Sequence, residues 1–143
     1  DMPVILSTGM AKLPDIEQAL WYIAGTDTTL LQCTSSYPCA LQDVNLRAMD
    51  TLADYFGLPV GLSDHTSGIT VAIAAAARGA EVIEKHLTLD RNAEGPDHAA
   101  SIAPKDFKAM VMAIREVEAA LGDGVKRVLP CEQELRKAWR ENA

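Results

Sequence analysis

Two short apolar runs each end in a histidine: Gly61-Leu62-Ser63-Asp64-His65-Thr66 and Val82-Ile83-Glu84-Lys85-His86. Alternate residues of a strand share a face, so a strand that turns polar at its end carries its chemistry there. Neutral imidazole is a common ligand for divalent metals, and two such strand ends side by side could hold one ion between His65 and His86. Two protein ligands leave coordination positions for substrate and water. The competing reading is a pair of core or cap histidines with satisfied hydrogen bonds.

Around this pair stand further candidates. Glu84 and His86 share a face if the strand continues that far, so the carboxylate could polarise a hydroxyl or orient a water. Its alternative is a buried ion pair. Lys85 then faces away, toward an acid on the helix layer, and Asp64 faces away from His65 and supports the loop. Ser7, Ser35 and Ser63 fall at or just past three successive strand ends, where hydroxyls and turn amides could cradle a phosphate or carboxylate. Each alone reads equally as a turn or cap serine. Tyr37 could cover a small polar substrate or pack its loop beside Pro38. Asp97, in Gly95-Pro96-Asp97-His98 of the longest loop, could bond sugar hydroxyls or cap a turn. His98 is expected in solvent. Cys33 reads first as a small buried apolar residue and second as a catalytic thiol.

Composition narrows the classes. The chain has 143 residues, enough for one domain with a real core. A net charge of −7 argues against a nucleic-acid surface. No apolar run reaches the roughly 18 residues of a membrane helix. Cys33, Cys39 and Cys131 have no metal-type spacing and read as reduced thiols in the cytoplasm. The opening Asp1-Met2-Pro3-Val4 shows no signal peptide and reads as a position inside a longer protein.

The elements that must position these residues alternate. Val4-Ile5-Leu6 is a strand, and Pro14-Asp15-Ile16-Glu17 opens a helix that ends by Gly25. Thr29 to Cys33 is a second strand, followed by a helix marked by Leu46, Met49, Leu52, Ala53 and Phe56. Pro59 to Leu62 is a third strand, and Gly68 to Arg78 a nearly uncharged, tightly buried helix. Glu81 to Glu84 is a fourth strand, and Pro104 to Leu121 a helix with Phe107, Met110, Val111, Ile114 and Val117 at helical spacing. The charged tail from Glu132 to Asn142 is expected to be helical. Such units, recurring at roughly 25–30-residue spacing, argue a parallel sheet with right-handed crossovers. An open doubly wound sheet and part of a (β/α)8 barrel both fit. Polar residues at every strand end and the lack of a glycine-rich dinucleotide fingerprint favour the barrel, of which this length would supply half.

Five segments together resemble the sialic acid synthase family, which includes N-acetylneuraminate and N,N'-diacetyllegionaminate synthases. They are Ile5-Leu6-Ser7-Thr8-Gly9-Met10, Cys33-Thr34-Ser35-Ser36-Tyr37-Pro38, Gly61 to Thr66, Glu84-Lys85-His86 and Gly95 to His98. The resemblance runs through Leu121-Gly122 and Lys126. It implies an α/β fold, the C-terminal half (strands five to eight) of a (β/α)8 barrel, spanning residues 1–143 with a helical tail. The first four strands and an antifreeze-like domain would be absent.

It further implies condensation of phosphoenolpyruvate with an N-acetylated amino sugar such as N-acetylmannosamine, giving a nonulosonic acid and phosphate. His65 and His86 would bind a divalent metal, manganese first and magnesium or cobalt as alternatives. Ser7, Ser35 and Ser63 would contact phosphoenolpyruvate, although some members have Asn at the Ser35 position. Tyr37, Glu84 and Asp97 would contact the amino sugar, and Glu84 would help orient water. The whole protein would be a cytoplasmic homodimer. Lysines that hold phosphoenolpyruvate in the family lie on the absent half, so the fragment alone is expected to be inactive. Two alternatives remain: a non-catalytic half-barrel that associates with another chain, and a metal-dependent pyruvate aldolase.

Overall fold

Strands β1 (Val4–Ser7), β2 (Thr28–Cys33), β3 (Val60–Asp64) and β4 (Ile83–Lys85) lie in sequence order in one parallel sheet. The computed structural model describes residues 2–141. Helices α1 (Leu13–Tyr22), α2 (Ala48–Phe56), α3 (Thr70–Ala77) and α4 (Pro104–Leu121) follow the successive strands, and α5 (Gln133–Glu141) ends the described chain.

All the crossover helices cover one face of the sheet. Ile16 of α1 and Leu52 of α2 pack with Leu30, with Leu6 and Val60 against them. Met49 of α2 and Val71 and Ala75 of α3 pack with Leu62. Ala72 of α3 and Met110 of α4 close a third cluster that includes Ile83. Full burial of each Leu or Met contributes about 1.5–3 kcal/mol. The opposite face carries Ile5, Ser7, Cys33, Gly61, Ser63 and Glu84 by strand alternation and register, and Ile5 remains 55% exposed. Strands in sequence order with helices on one face are, among the described residues, the winding of a barrel segment.

Local chemistry explains the element ends. Asp15 accepts the Lys12 amide at 2.8 Å, and Pro14 stands in the first turn of α1. Gly57 closes α2 at φ 65°, a left-handed conformation that costs glycine little. The small side chains of α3 let α4 approach closely. β3 runs further than the apolar pattern suggests, through Ser63 and Asp64, because both still pair with β4. β4 starts later than expected, at Ile83. Helix α5 forms as expected, fully exposed; Asn142 lies outside the described residues.

Candidate active site

The C-terminal ends of β3 and β4 bring the two histidines together. Their ring centroids are 5.3 Å apart with planes at 83°. His65 is 8% exposed, and the His86 side chain is half-buried. Both follow the strands by one residue or less of register, since Asp64 pairs with Lys85 directly behind them.

Hydrogen bonding fixes the His65 tautomer. Its Nδ1 lies 2.9 Å from the Thr34 carbonyl, which can only accept, so in the neutral imidazole Nδ1 carries the proton and Nε2 the lone pair. Nε2 faces Ser63 Oγ at 3.3 Å. The Ser63 proton is committed elsewhere: Oγ donates to Glu84 Oε1 at 2.7 Å. Two lone pairs therefore converge beside an exposed carboxylate, an arrangement complementary to a cation. His86 adds a second imidazole. Among the described residues no cluster of three or more His, Cys, Asp or Glu surrounds a possible metal position, so a metal here would have two protein ligands and open positions. The donor set fits a divalent ion on those terms.

Tyr37 covers the pair, with ring centroids 4.1 Å from His65 and 5.3 Å from His86. Its loop bends through a cis Tyr37–Pro38 peptide. Burial, and then the nearby Cys33, Asp97 and Glu84, raise the phenol above its ordinary value of 10.0. Tyr37 is therefore a neutral hydroxyl at the site. Asp97 Oδ2 stands 3.9 Å from His86 Nδ1, so the long loop reaches the site.

The remaining candidates sit further out. Ser35 is half-buried, with Oγ 3.9 Å from Cys33 Sγ. Cys33 is half-buried rather than buried, with Sγ 3.9 Å from His65 Nδ1. Ser7 is exposed on the edge strand β1 and makes no side-chain hydrogen bond among the described residues. Three expectations are corrected. Lys85 pairs not with a helix-layer acid but with Asp64 on the neighbouring strand, at 2.8 Å. Glu84 makes no buried ion pair; it is exposed and held by Ser63. His98 is half-buried, because Thr88 Oγ1 bonds its Nδ1 at 2.6 Å beneath the loop.

The carbonyl of Thr34 is the site group that residue types could not reveal, because every residue carries a carbonyl. Only the meeting of the β2 loop with β3 identifies it.

Comparisons with known proteins place the sequence and the fold. The chain is 50% identical over 135 residues to N,N'-diacetyllegionaminic acid synthase of Campylobacter jejuni, covering 91% of this chain and 40% of that protein. It is 40% identical over 133 residues to human N-acetylneuraminate-9-phosphate synthase, covering 91% of this chain and 37% of that protein. The chain thus spans about 40% of the length of the curated relatives it matches. The crystal structure of N-acetylneuraminic acid synthetase from Leptospira borgpetersenii superposes with a TM-score of 0.84 at 37% identity, over 96% of this chain and 49% of that one. The four-stranded sheet is thus a parallel half-barrel matching that synthetase fold. The model of the NeuB family matches residues 1–126, and the chain belongs to the NeuB family.

Proposed function

We propose that this chain is the C-terminal half-barrel, strands five to eight, of a synthase that condenses phosphoenolpyruvate with an open-chain N-acetylated amino sugar. The observation that carries the reading is the convergence of His65 Nε2, His86, Ser63, Glu84 and Tyr37 at one end of a parallel sheet. Active sites of barrels lie at that end. Relatives whose names denote legionaminic, neuraminic and pseudaminic acid synthases support a nonulosonic acid as product.

His65 and His86 would hold a divalent ion, manganese first. When bound, such an ion supplies Lewis-acid polarisation of the aldehyde oxygen. The Thr34 carbonyl keeps the Nε2 lone pair of His65 aimed into the site. Ser7, Ser35 and Ser63 lie along the same sheet edge and would bind phosphoenolpyruvate. Tyr37 and Asp97 would orient the sugar from above. The enol carbon of phosphoenolpyruvate forms a bond to the aldehyde carbon, whose oxygen takes a proton. Water adds to the resulting oxocarbenium, and the C–O bond to phosphate breaks. Glu84, exposed and held by Ser63, would orient that water and take its proton.

The exposed Ile5 on the face opposite the helices supports a second element of the reading: further βα units would complete the barrel, and the residues described here would supply only part of the site. The test uses the full-length protein. Phosphate released from phosphoenolpyruvate only when both an N-acetyl amino sugar and a divalent ion are present supports the synthase. Condensation with pyruvate itself, without phosphate release, would instead make it an aldolase.

A further inference from the structure

We propose that the buried Lys85–Asp64 pair, together with Thr66, is the positioning device that decides where His65 and His86 meet. The proposal rests on the reading of those two imidazoles as a shared binding pair. Each member of the ion pair is the chain neighbour of one histidine. Asp64 precedes His65, Lys85 precedes His86, and Asp64 and Lys85 are direct register partners across β3 and β4. Side chains alternate along a strand, so the ion pair lies on the helix side while the imidazoles stand on the open side.

The bonds enclose His65 from both directions. Lys85 Nζ donates to Asp64 Oδ2 and to the Thr66 carbonyl, each at 2.8 Å. Asp64 Oδ1 accepts from the Thr66 amide at 2.8 Å and from Thr66 Oγ1 at 2.7 Å. The residues before and after His65 are thus both fastened to one ammonium. The His65 carbonyl accepts the Cys39 amide at 2.8 Å. On the other strand, the His86 carbonyl accepts the Ile102 amide at 3.0 Å.

Burial makes the arrangement stiff. The Lys85 and Asp64 side chains are 2% and 0% exposed, and Thr66 is 1% exposed. The void beside Asp64, His65 and Thr66 is only about 10 Å³, room for about one water. An apolar pair of similar volume could hold the fold as well as a buried ion pair does. What it lacks is direction: hydrogen bonds fix the angle at which two strand ends meet, whereas apolar contact does not. Partners that hydrogen-bond a metal-binding imidazole directly change metal affinity by about 10–100-fold when removed, and a pair that fixes the backbone on either side of it acts through the same orientation.

The test compares the full-length protein with its Asp64→Leu/Lys85→Met variant. Nitrogen–proton NMR of the imidazoles, recorded without metal, reads the His65 tautomer. Mn2+ titration followed by electron paramagnetic resonance reads affinity, and the melting temperature reads the fold. The parent is expected to show His65 with its proton on Nδ1 alone. The folded variant is expected to show both tautomers and Mn2+ binding weakened about 10–100-fold. A folded variant that keeps the single tautomer and an Mn2+ affinity within about twofold of the parent would overturn the proposal. If the double variant does not fold, Thr66→Val removes one donor and leaves the ion pair; mixed tautomers support the proposal, and an unchanged tautomer and affinity overturn it. A parent that binds no Mn2+ would sink the shared-ion reading, while the tautomer comparison would still decide the positioning.

Discussion

Ser63 Oγ gives its proton to Glu84 Oε1 at 2.7 Å, and this leaves only lone pairs facing His65 Nε2 at 3.3 Å. That single relationship joins β3 to β4 on the open face and prepares one spot for positive charge. Replacing Ser63 by Ala releases the carboxylate and removes one of the two lone-pair donors. Hydrogen bonds to charged groups contribute about 1.5–3 kcal/mol when buried; with Glu84 exposed, the lower end applies, so kcat is expected to fall about tenfold. The melting temperature should move little. Steady-state kinetics beside thermal unfolding checks this, and an unchanged kcat would contradict it.

Tyr37 gives a second prediction. Phe at this position keeps the ring against His65 and His86 and deletes only the hydroxyl. The expected result is a KM for the amino sugar raised about tenfold with Mn2+ affinity preserved. The raised phenol also has a sign that can be measured. In the unfolded chain Tyr37 loses its proton near its ordinary value of 10.0, before the folded protein does. The folded state then binds more protons, so its contribution to stability is present below pH 10 and lost as pH rises above it. Absorbance at alkaline pH should show Tyr37 titrating later than tyrosine in the unfolded chain.

Much of this was legible in the sequence, and the limits are physical. Val4-Ile5-Leu6 and Thr29 to Cys33 show themselves as strands because each is a short apolar run between turn residues. Helix α4 appears at its observed bounds because Pro104 and Gly122 mark its ends. The proximity of His65 and His86 followed from strand alternation and shared strand-end position. The partner of Lys85 did not, because it depends on the register between β3 and β4, which neither strand encodes alone. Likewise His98 looked solvent-facing because Gly95 and Pro96 announce a surface loop, while its bond to Thr88 closes across that loop. The ends of β3 and β4 were misjudged because polar residues such as Ser63 and Asp64 continue the ladder through backbone bonds that do not depend on side-chain polarity.

The buried pair makes a stability prediction of its own. Lys85→Met alone leaves Asp64 charged in a site that is 0% exposed. Loss of one partner from a buried pair costs about 3–5 kcal/mol. Asp64→Leu/Lys85→Met should recover most of that loss. Calorimetry of the two variants side by side tests it, and an equal loss in both would show that the desolvated charge is not the cause.

Two glycines on the open side should respond differently to alanine. A methyl at Gly61 would meet the Val82 carbonyl and Leu31 Cδ2, so backbone must move between β3 and β4. A methyl at Gly9 would meet chiefly the Ser35 hydroxyl, the end of a movable side chain. Gly61→Ala is expected to destabilise by about 1–3 kcal/mol or more, as overpacking does. Gly9→Ala should leave the fold nearly as stable and instead raise the KM for phosphoenolpyruvate by displacing Ser35. Denaturant unfolding and kinetics on both variants distinguish the two effects.

The most direct measurement is phosphate release from phosphoenolpyruvate by the full-length protein, with N-acetylmannosamine as acceptor, Mn2+ present or chelated, and His65 intact or replaced by Ala. The account predicts release that requires both acceptor and metal and that falls about 100-fold or more in His65→Ala. Metal-dependent condensation persisting at the parent rate in His65→Ala would contradict it.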